Sequence, residues 1–174
     1  MDFKQNHFEL FGLTPVFRID PGRLEAAYRE IQNQVHPDRF ASGGDAEKRL
    51  SMQWSTRVNE AYQTLKSALT RARYLLQLQG IEALAETAMP PAFLLQQMEW
   101  HEAIAEARAS RKMNSLDKLM GQMRAEAKRV EIDLASQIDD AMDYAAAAVS
   151  VRKLKFLHKL IEEIGDAQEE LELA

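Results

Sequence analysis

The 174-residue chain contains no cysteine. It can form no disulfide, and it has no thiolate to offer zinc or an iron-sulfur cluster. Any cluster or thiolate-metal chemistry near it must belong to a partner. Aromatic residues are also sparse, at 7%, whereas Ala, Leu, Glu, Gln, Lys and Arg dominate. That balance favours helix over strand and predicts an all-α protein. With only 7 glycines and 5 prolines, breaks in helical periodicity are few and informative. No long apolar run is present: Ala145 to Val149 falls far short of the roughly 20 residues that span a bilayer. Met1 to Asn6 lacks the basic end and apolar core of a secretory signal. A soluble, cytoplasmic protein without membrane contact is expected. Basic charge is limited too. Met1 to Leu75 carries 11 basic and 9 acidic side chains, and Leu76 to Ala174 carries 11 and 18. No concentrated cationic face for phosphates is indicated, which argues against nucleic acid as a partner, and the asymmetry suggests two functional halves.

What is present reads as a series of helices. Asn6 is placed to cap a short helix, His7 to Phe11, that stops at Gly12. Asp20-Pro21 supplies a cap and a proline at the first helical position, after which Leu24, Ala27, Tyr28, Ile31 and Val35 recur at helical spacing. Pro37 stops that helix near His36. Ser42-Gly43-Gly44 is loop-forming, Asp45 is the expected next cap, and Leu50, Trp54, Val58, Ala61, Leu65 and Leu69 form the expected buried stripe. Leu69 to Gln79 is also helical and ends at Gly80, with no visible break from its predecessor. Met89-Pro90-Pro91 then marks a linker. Three longer helices follow, over about 92–111, from a cap at Asn114 to about Ile138, and over about 140–172. Leu154, Leu157, Ile161, Ile164, Gln168 and Leu171 of the last have the spacing of a bundle seam.

Alone, His36-Pro37-Asp38 is a helix stop followed by a turn residue. In context it follows a capped amphipathic helix, precedes Arg39-Phe40 and a Gly-rich loop, and leads into a second amphipathic helix containing Asn59-Glu60-Ala61-Tyr62-Gln63-Thr64-Leu65. With His7 to Leu13 as a short first helix, the segment from His7 to Leu76 resembles a DnaJ-type J-domain. The resemblance implies that His36, Pro37 and Asp38 contact an ATP-hydrolysing heat-shock chaperone and stimulate its hydrolysis. Arg29 and Arg39 are candidate partner contacts beside them. Physically, proline restricts the loop and lowers the ordering cost of binding. Such a loop promotes hydrolysis elsewhere by binding the competent state of the partner more tightly than its resting state.

In the second half, Phe93, Trp100, Ile104 and Ala107 define one helix face suited to a core, while Leu95, Glu99, Glu102 and Glu106 trace another. Leu94, Leu95 and Met98 either widen the core or stand exposed, and spacing alone leaves both open. Phe156 lies about 100° around its helix from Leu157, either exposed or packed sideways. The three cations within Arg152 to Lys155 read as a solvated face. Phe8 to Leu13, Val35 to Phe40 with Ala41-Ser42-Gly43, Ala72 to Leu76, Ala92 to Glu102 and Val151 to Leu157 together resemble the HscB family of co-chaperones. That resemblance implies a J-domain over 1–80, a linker over 81–91 and a client-binding three-helix bundle over 92–174. It further implies two partners, an HscA-type ATPase chaperone and an IscU-type iron-sulfur scaffold protein. Carried over by position, scaffold binding falls on Leu94, Leu95, Met98, Glu99, Glu102, Glu106 and Phe156, with apolar contacts giving affinity and acids selecting a basic edge. No cysteine-rich metal module is present, which points to the bacterial type.

Two rivals remain at this level. One is a J-protein serving a different client through a general interaction or dimerisation bundle. The other is a metal-dependent hydrolase, but His7, His36, His101 and His158 form no close pair in sequence. The expectation is therefore a protein that is not an enzyme, with no cofactor and no metal site of its own.

Overall fold

The computed structural model describes residues 2–36, 38, 44–86 and 88–173. Among them every regular element is helical, and contacts divide the chain into two compact units, Met1–Leu78 and Gln79–Ala174.

The first unit contains α1 (His7–Leu10), α2 (Pro21–Val35), α3 (Asp45–Lys66) and α4 (Ala68–Leu78). The short α1 is defined by its cap: Asn6 Oδ1 accepts the Glu9 N–H at 2.9 Å, and Glu9 Oε2 accepts the Asn6 N–H at 2.8 Å. Two otherwise orphaned donors are thereby satisfied reciprocally. Gly12, at φ 61°, then reverses the chain. Asp20 caps α2 as its sequence indicates, accepting from the Gly22 and Arg23 amides. At α3 the cap differs from expectation. Gly44 occupies that position, the Glu47 carboxylate accepts its N–H at 3.3 Å, and Asp45 moves into the first turn, where its charge complements the helix dipole.

The α3 stripe is also one residue out of place at its start. Leu50 is 49% exposed, whereas Ser51 is 4% exposed and donates its hydroxyl to the Val35 carbonyl at 2.6 Å. Position 51 continues the alternation by three and four through Trp54, Val58, Ala61 and Leu65, whereas position 50 falls beside it. A terminal carbonyl of α2 is thus satisfied from within the core. The break between α3 and α4 falls at Ser67, whose backbone is extended. Thr70 Oγ1 donates to the Thr64 carbonyl at 2.7 Å and Arg71 Nη1 to the Leu65 carbonyl at 2.5 Å, so side chains close α3 where no glycine or proline does.

The second unit contains α5 (Pro91–Ala109), α6 (Met113–Ala135) and α7 (Tyr144–Glu172). The segment before α5 is partly tied down: Ala83 is buried, and its carbonyl accepts from Arg152 Nη1 of α7 at 3.0 Å. Between α5 and α6 only Ser110, Arg111 and Lys112 intervene, with Arg111 in the left-handed region at φ 52°. This tight turn starts α6 at Met113, ahead of the expected Asn114 cap, and Lys112 at the cap position offers no side-chain bond. Residues 136–140 continue α6 as a π-helical turn, Met142 reverses at φ 51°, and Asp143 caps α7 through the Ala146 N–H at 3.0 Å. The last helix therefore begins four residues later than its expected start at 140.

Gln168, near the end of α7, donates to Asp117, near the start of α6, at 2.7 Å, as two antiparallel neighbours require. Phe93 meets Phe156 and Arg108 pairs with Glu170, so α5 runs parallel to α7. The α7 core face runs through Ala147, Val151, Leu154, Leu157, Leu160, Ile164 and Ala167. Ile161, Gln168 and Leu171 of the expected seam lie at its partly exposed margin. The buried arc is wider than a two-position seam and centred on α6, the principal partner of α7.

Candidate functional site

The first candidate surface lies at the C-terminal end of α2. His36 has left the helix with an extended backbone, and both it and Asp38 are exposed. The Asp38 N–H donates to His36 Nδ1 at 3.3 Å, and the Asp38 carboxylate lies 3.5 Å from the same nitrogen. The imidazole is thereby held from its Nδ1 side. Pro37 and Arg39 lie outside the described residues. Arg29, two turns earlier on α2, is exposed, but its Nε donates to Glu25 Oε1 at 2.9 Å. Binding a partner through Arg29 would have to compete with this pair.

Behind that surface lies a network of side chains with no distinctive motif in the sequence. The rings of Tyr28 and Tyr62 stack at 4.1 Å, joining α2 to α3. Asn59 Oδ1 accepts from the Tyr28 hydroxyl at 2.9 Å and from Gln32 Nε2 at 2.8 Å, while the Tyr62 hydroxyl donates to Glu25. The hydrogen bond from Tyr62, followed by that from Arg29, holds the Glu25 carboxyl below its ordinary value, and Glu25 in turn raises the Tyr62 phenol. These bonds brace the helix pair whose end carries His36. The only sequence signal for them was the position of polar residues on helix faces that also carry tyrosine.

The second candidate surface lies on α5. Leu94, Leu95 and Met98 are 46%, 64% and 69% exposed, and Glu99, Glu102 and Glu106 are exposed beside them. The opposite face buries Ile104 and Ala107 and directs Phe93 and Trp100 inward. Thus α5 is apolar on two sides, only one of which the bundle covers. Phe156 of α7 packs sideways and is half-buried, meeting Phe93 and Trp100. Glu106 borders an open cavity of about 260 Å³ between α5 and α6, at the far end of the acidic ridge from Leu95. The structure brings six of the seven residues to one face of α5 and sets Phe156 against that helix from α7.

Among the described residues, no group of three or more His, Cys, Asp or Glu side chains is placed to hold a metal ion, and no helix is long and apolar enough to cross a membrane.

Comparison with known proteins places these surfaces in context. Residues 89–165 match the family model described as the HSCB C-terminal oligomerisation domain. The co-chaperone protein HscB homolog of Azoarcus sp. (strain BH72) is 51% identical over 174 residues, covering 99% of this chain and 98% of that protein. The corresponding protein of Burkholderia cenocepacia is 50% identical, with 99% of each chain covered. Among solved structures, HscB from Vibrio cholerae superposes with a TM-score of 0.85 at 36% identity, over 96% of this chain and 99% of that one. Human co-chaperone HscB gives a TM-score of 0.88 at 30% identity, over 95% and 83%. With full-length relatives at this level and a shared two-part helical fold, the chain belongs to the HscB family of co-chaperones.

Proposed function

We propose that this chain acts in iron-sulfur cluster assembly by stimulating ATP hydrolysis on an HscA-type chaperone and delivering an IscU-type scaffold protein to it. The observation that carries this reading is the exposure of Leu94, Leu95 and Met98 on a helix whose other face is already in the core. Three adjacent large apolar side chains left in water are a contact surface awaiting a partner. Glu99, Glu102 and Glu106 beside them favour a basic edge on that partner and disfavour an acidic one. Phe156 completes the surface from α7.

At the other end, His36, Pro37 and Asp38 form the chaperone-binding loop, with Arg29 and Arg39 as flanking contacts. The corresponding functional division is a J-domain over 1–80, a connection over 81–91 and a scaffold-binding bundle over 92–174. No group on this chain performs the hydrolysis. The loop acts by favouring the hydrolysis-competent state of the chaperone, and a coupling of about 1–3 kcal/mol shifts that equilibrium roughly 5- to 150-fold. The protein is thus a non-enzymatic regulator working in the bacterial cytoplasm.

The test combines ATPase and binding measurements with the cognate chaperone and scaffold. His36→Gln abolishes stimulation of ATP hydrolysis but binds scaffold normally. The Leu94→Ala, Leu95→Ala, Met98→Ala triple variant remains folded and loses scaffold affinity by at least about tenfold, the loss expected when several central interface anchors are truncated. Unchanged stimulation by the first variant, or unchanged scaffold affinity of the second, overturns the corresponding assignment. The name of the matching domain model also raises self-association as a use for the α5 face. Sedimentation separates the two readings: a dimer that the triple variant dissociates, with scaffold affinity intact, favours self-association.

A further inference from the structure

Phe156 belongs to α7, yet the rings around it come from α5. Phe93 meets it edge-on with centroids 5.8 Å apart, Trp100 stacks at 6.4 Å, and the His101 imidazole meets it edge-on at 5.6 Å. Phe93 and Trp100 reach Phe156 from the core side of α5. His101 reaches it from the other side. At about 100° per residue, Leu94, Met98 and His101 fall within an arc of roughly 60°, so they form one ridge along the exposed face. His101 is half-exposed, and its Nδ1 lies 3.7 Å from Glu163 Oε2 on α7. It is therefore both on the Leu94–Met98 ridge and in ring contact with Phe156.

We propose that His101 is a further scaffold-binding residue, joining the apolar ridge of α5 to Phe156 of α7 and placing one imidazole nitrogen within that apolar surface. The proposal rests on the reading of the α5 face given above. The Glu163 carboxylate lies on the Nδ1 side of the ring, so the Nε2 edge is the one turned away from it. An imidazole nitrogen is a hydrogen-bonding group in every protonation state. Nε2 takes a hydrogen bond with the scaffold at the edge of the ridge away from Glu99. His101 thus links the ridge of Leu94 and Met98 to the ring of Phe156.

The test is a double-mutant cycle on the full chain at neutral pH, read by titration calorimetry against the cognate IscU-type scaffold protein. His101→Ala weakens binding about tenfold, as truncation of a central contact does. Phe156→Ala weakens it comparably, and the double variant loses less than the product of the two, because the residues act as one unit. The bundle melts as in the parent protein. Should His101→Ala melt early, His101→Gln replaces it in the same cycle with the same coupling expected. The Leu94→Ala, Leu95→Ala, Met98→Ala triple variant runs alongside. If it retains affinity, the α5 reading fails and the His101 proposal with it. If the triple variant loses affinity while the His101 variant binds normally, or while the His101 and Phe156 losses multiply independently, the role of His101 is overturned and the α5 surface stands.

Discussion

At the scale of single residues, electrostatic consequences arise where polar side chains are packed between helices. His7 stacks on Tyr74 with centroids 4.2 Å apart, and its backbone N–H donates to the Tyr74 hydroxyl at 3.1 Å. Burial, and then the positive charge of Arg57, hold its imidazole below the ordinary value of 6.5. The unfolded chain therefore takes up a proton at His7 more readily than the folded one. Stability contributed by this site is complete at pH values above 6.5 and is lost as the pH falls from there towards the folded value. Denaturant unfolding followed by Trp54 fluorescence, in a Trp100→Phe background, should show the first unit weakening over that window. His7→Gln flattens the slope. An unchanged slope would mean that the site contributes nothing to it. Glu25, whose folded value is lowered, adds a second loss only when the pH falls below 4.5, so the two effects are separable.

At the scale of elements, the termini rather than the interiors of helices distinguish what the sequence announces from what it conceals. Ser51 illustrates this. Its hydroxyl lies in the core and satisfies the Val35 carbonyl, linking the end of α2 to the body of α3. Ser51→Ala leaves that acceptor buried without its donor and should cost about 1–3 kcal/mol in the same fluorescence-detected unfolding. A cost near zero would show that water replaces the serine. A serine flanked by Leu50 and Met52 gives no hint of this role, because by hydropathy alone Leu50 competes for the buried position. Caps that depend on a local side chain, at Asn6 and Asp20, were legible because their partners lie two or three residues away. The α3–α4 break was not. Its carbonyls are taken by Thr70 and Arg71, whose sequence looks like continuous helix. The α6 and α7 starts shifted for a related reason, since the left-handed residues Arg111 and Met142 carry no glycine signature. The α5 patch was legible as a pattern, but whether it faced water depended on how few neighbours α5 has, which is a property of the assembled bundle.

At the scale of the whole molecule, charge and contact chemistry are divided between the two units. The half beginning at Leu76 has seven more acidic than basic side chains, whereas the half before it has two more basic than acidic. If the α5 surface meets a basic edge, its association rate should fall as salt rises, because exposed charges are screened beyond about 10 Å at 0.1 M. Stopped-flow association with the scaffold between about 50 and 500 mM salt measures this, and the dissociation rate should change far less. A salt-independent association rate would remove the acids from the recognition step. The Leu94, Leu95 and Met98 contacts should set the dissociation rate instead.

The parallel arrangement of α5 and α7 bears on when such a surface exists at all. A synthetic peptide copying residues 91–109 would carry the leucines, the methionine and the glutamates, but it would lack the ring that α7 contributes. Recognition is then written across two strands of the chain more than fifty residues apart, not in one transplantable stretch. On the function proposed above, a copy whose bundle has melted would no longer present the joined α5–α7 surface to a scaffold. On that reading, completion of folding is a condition for delivery.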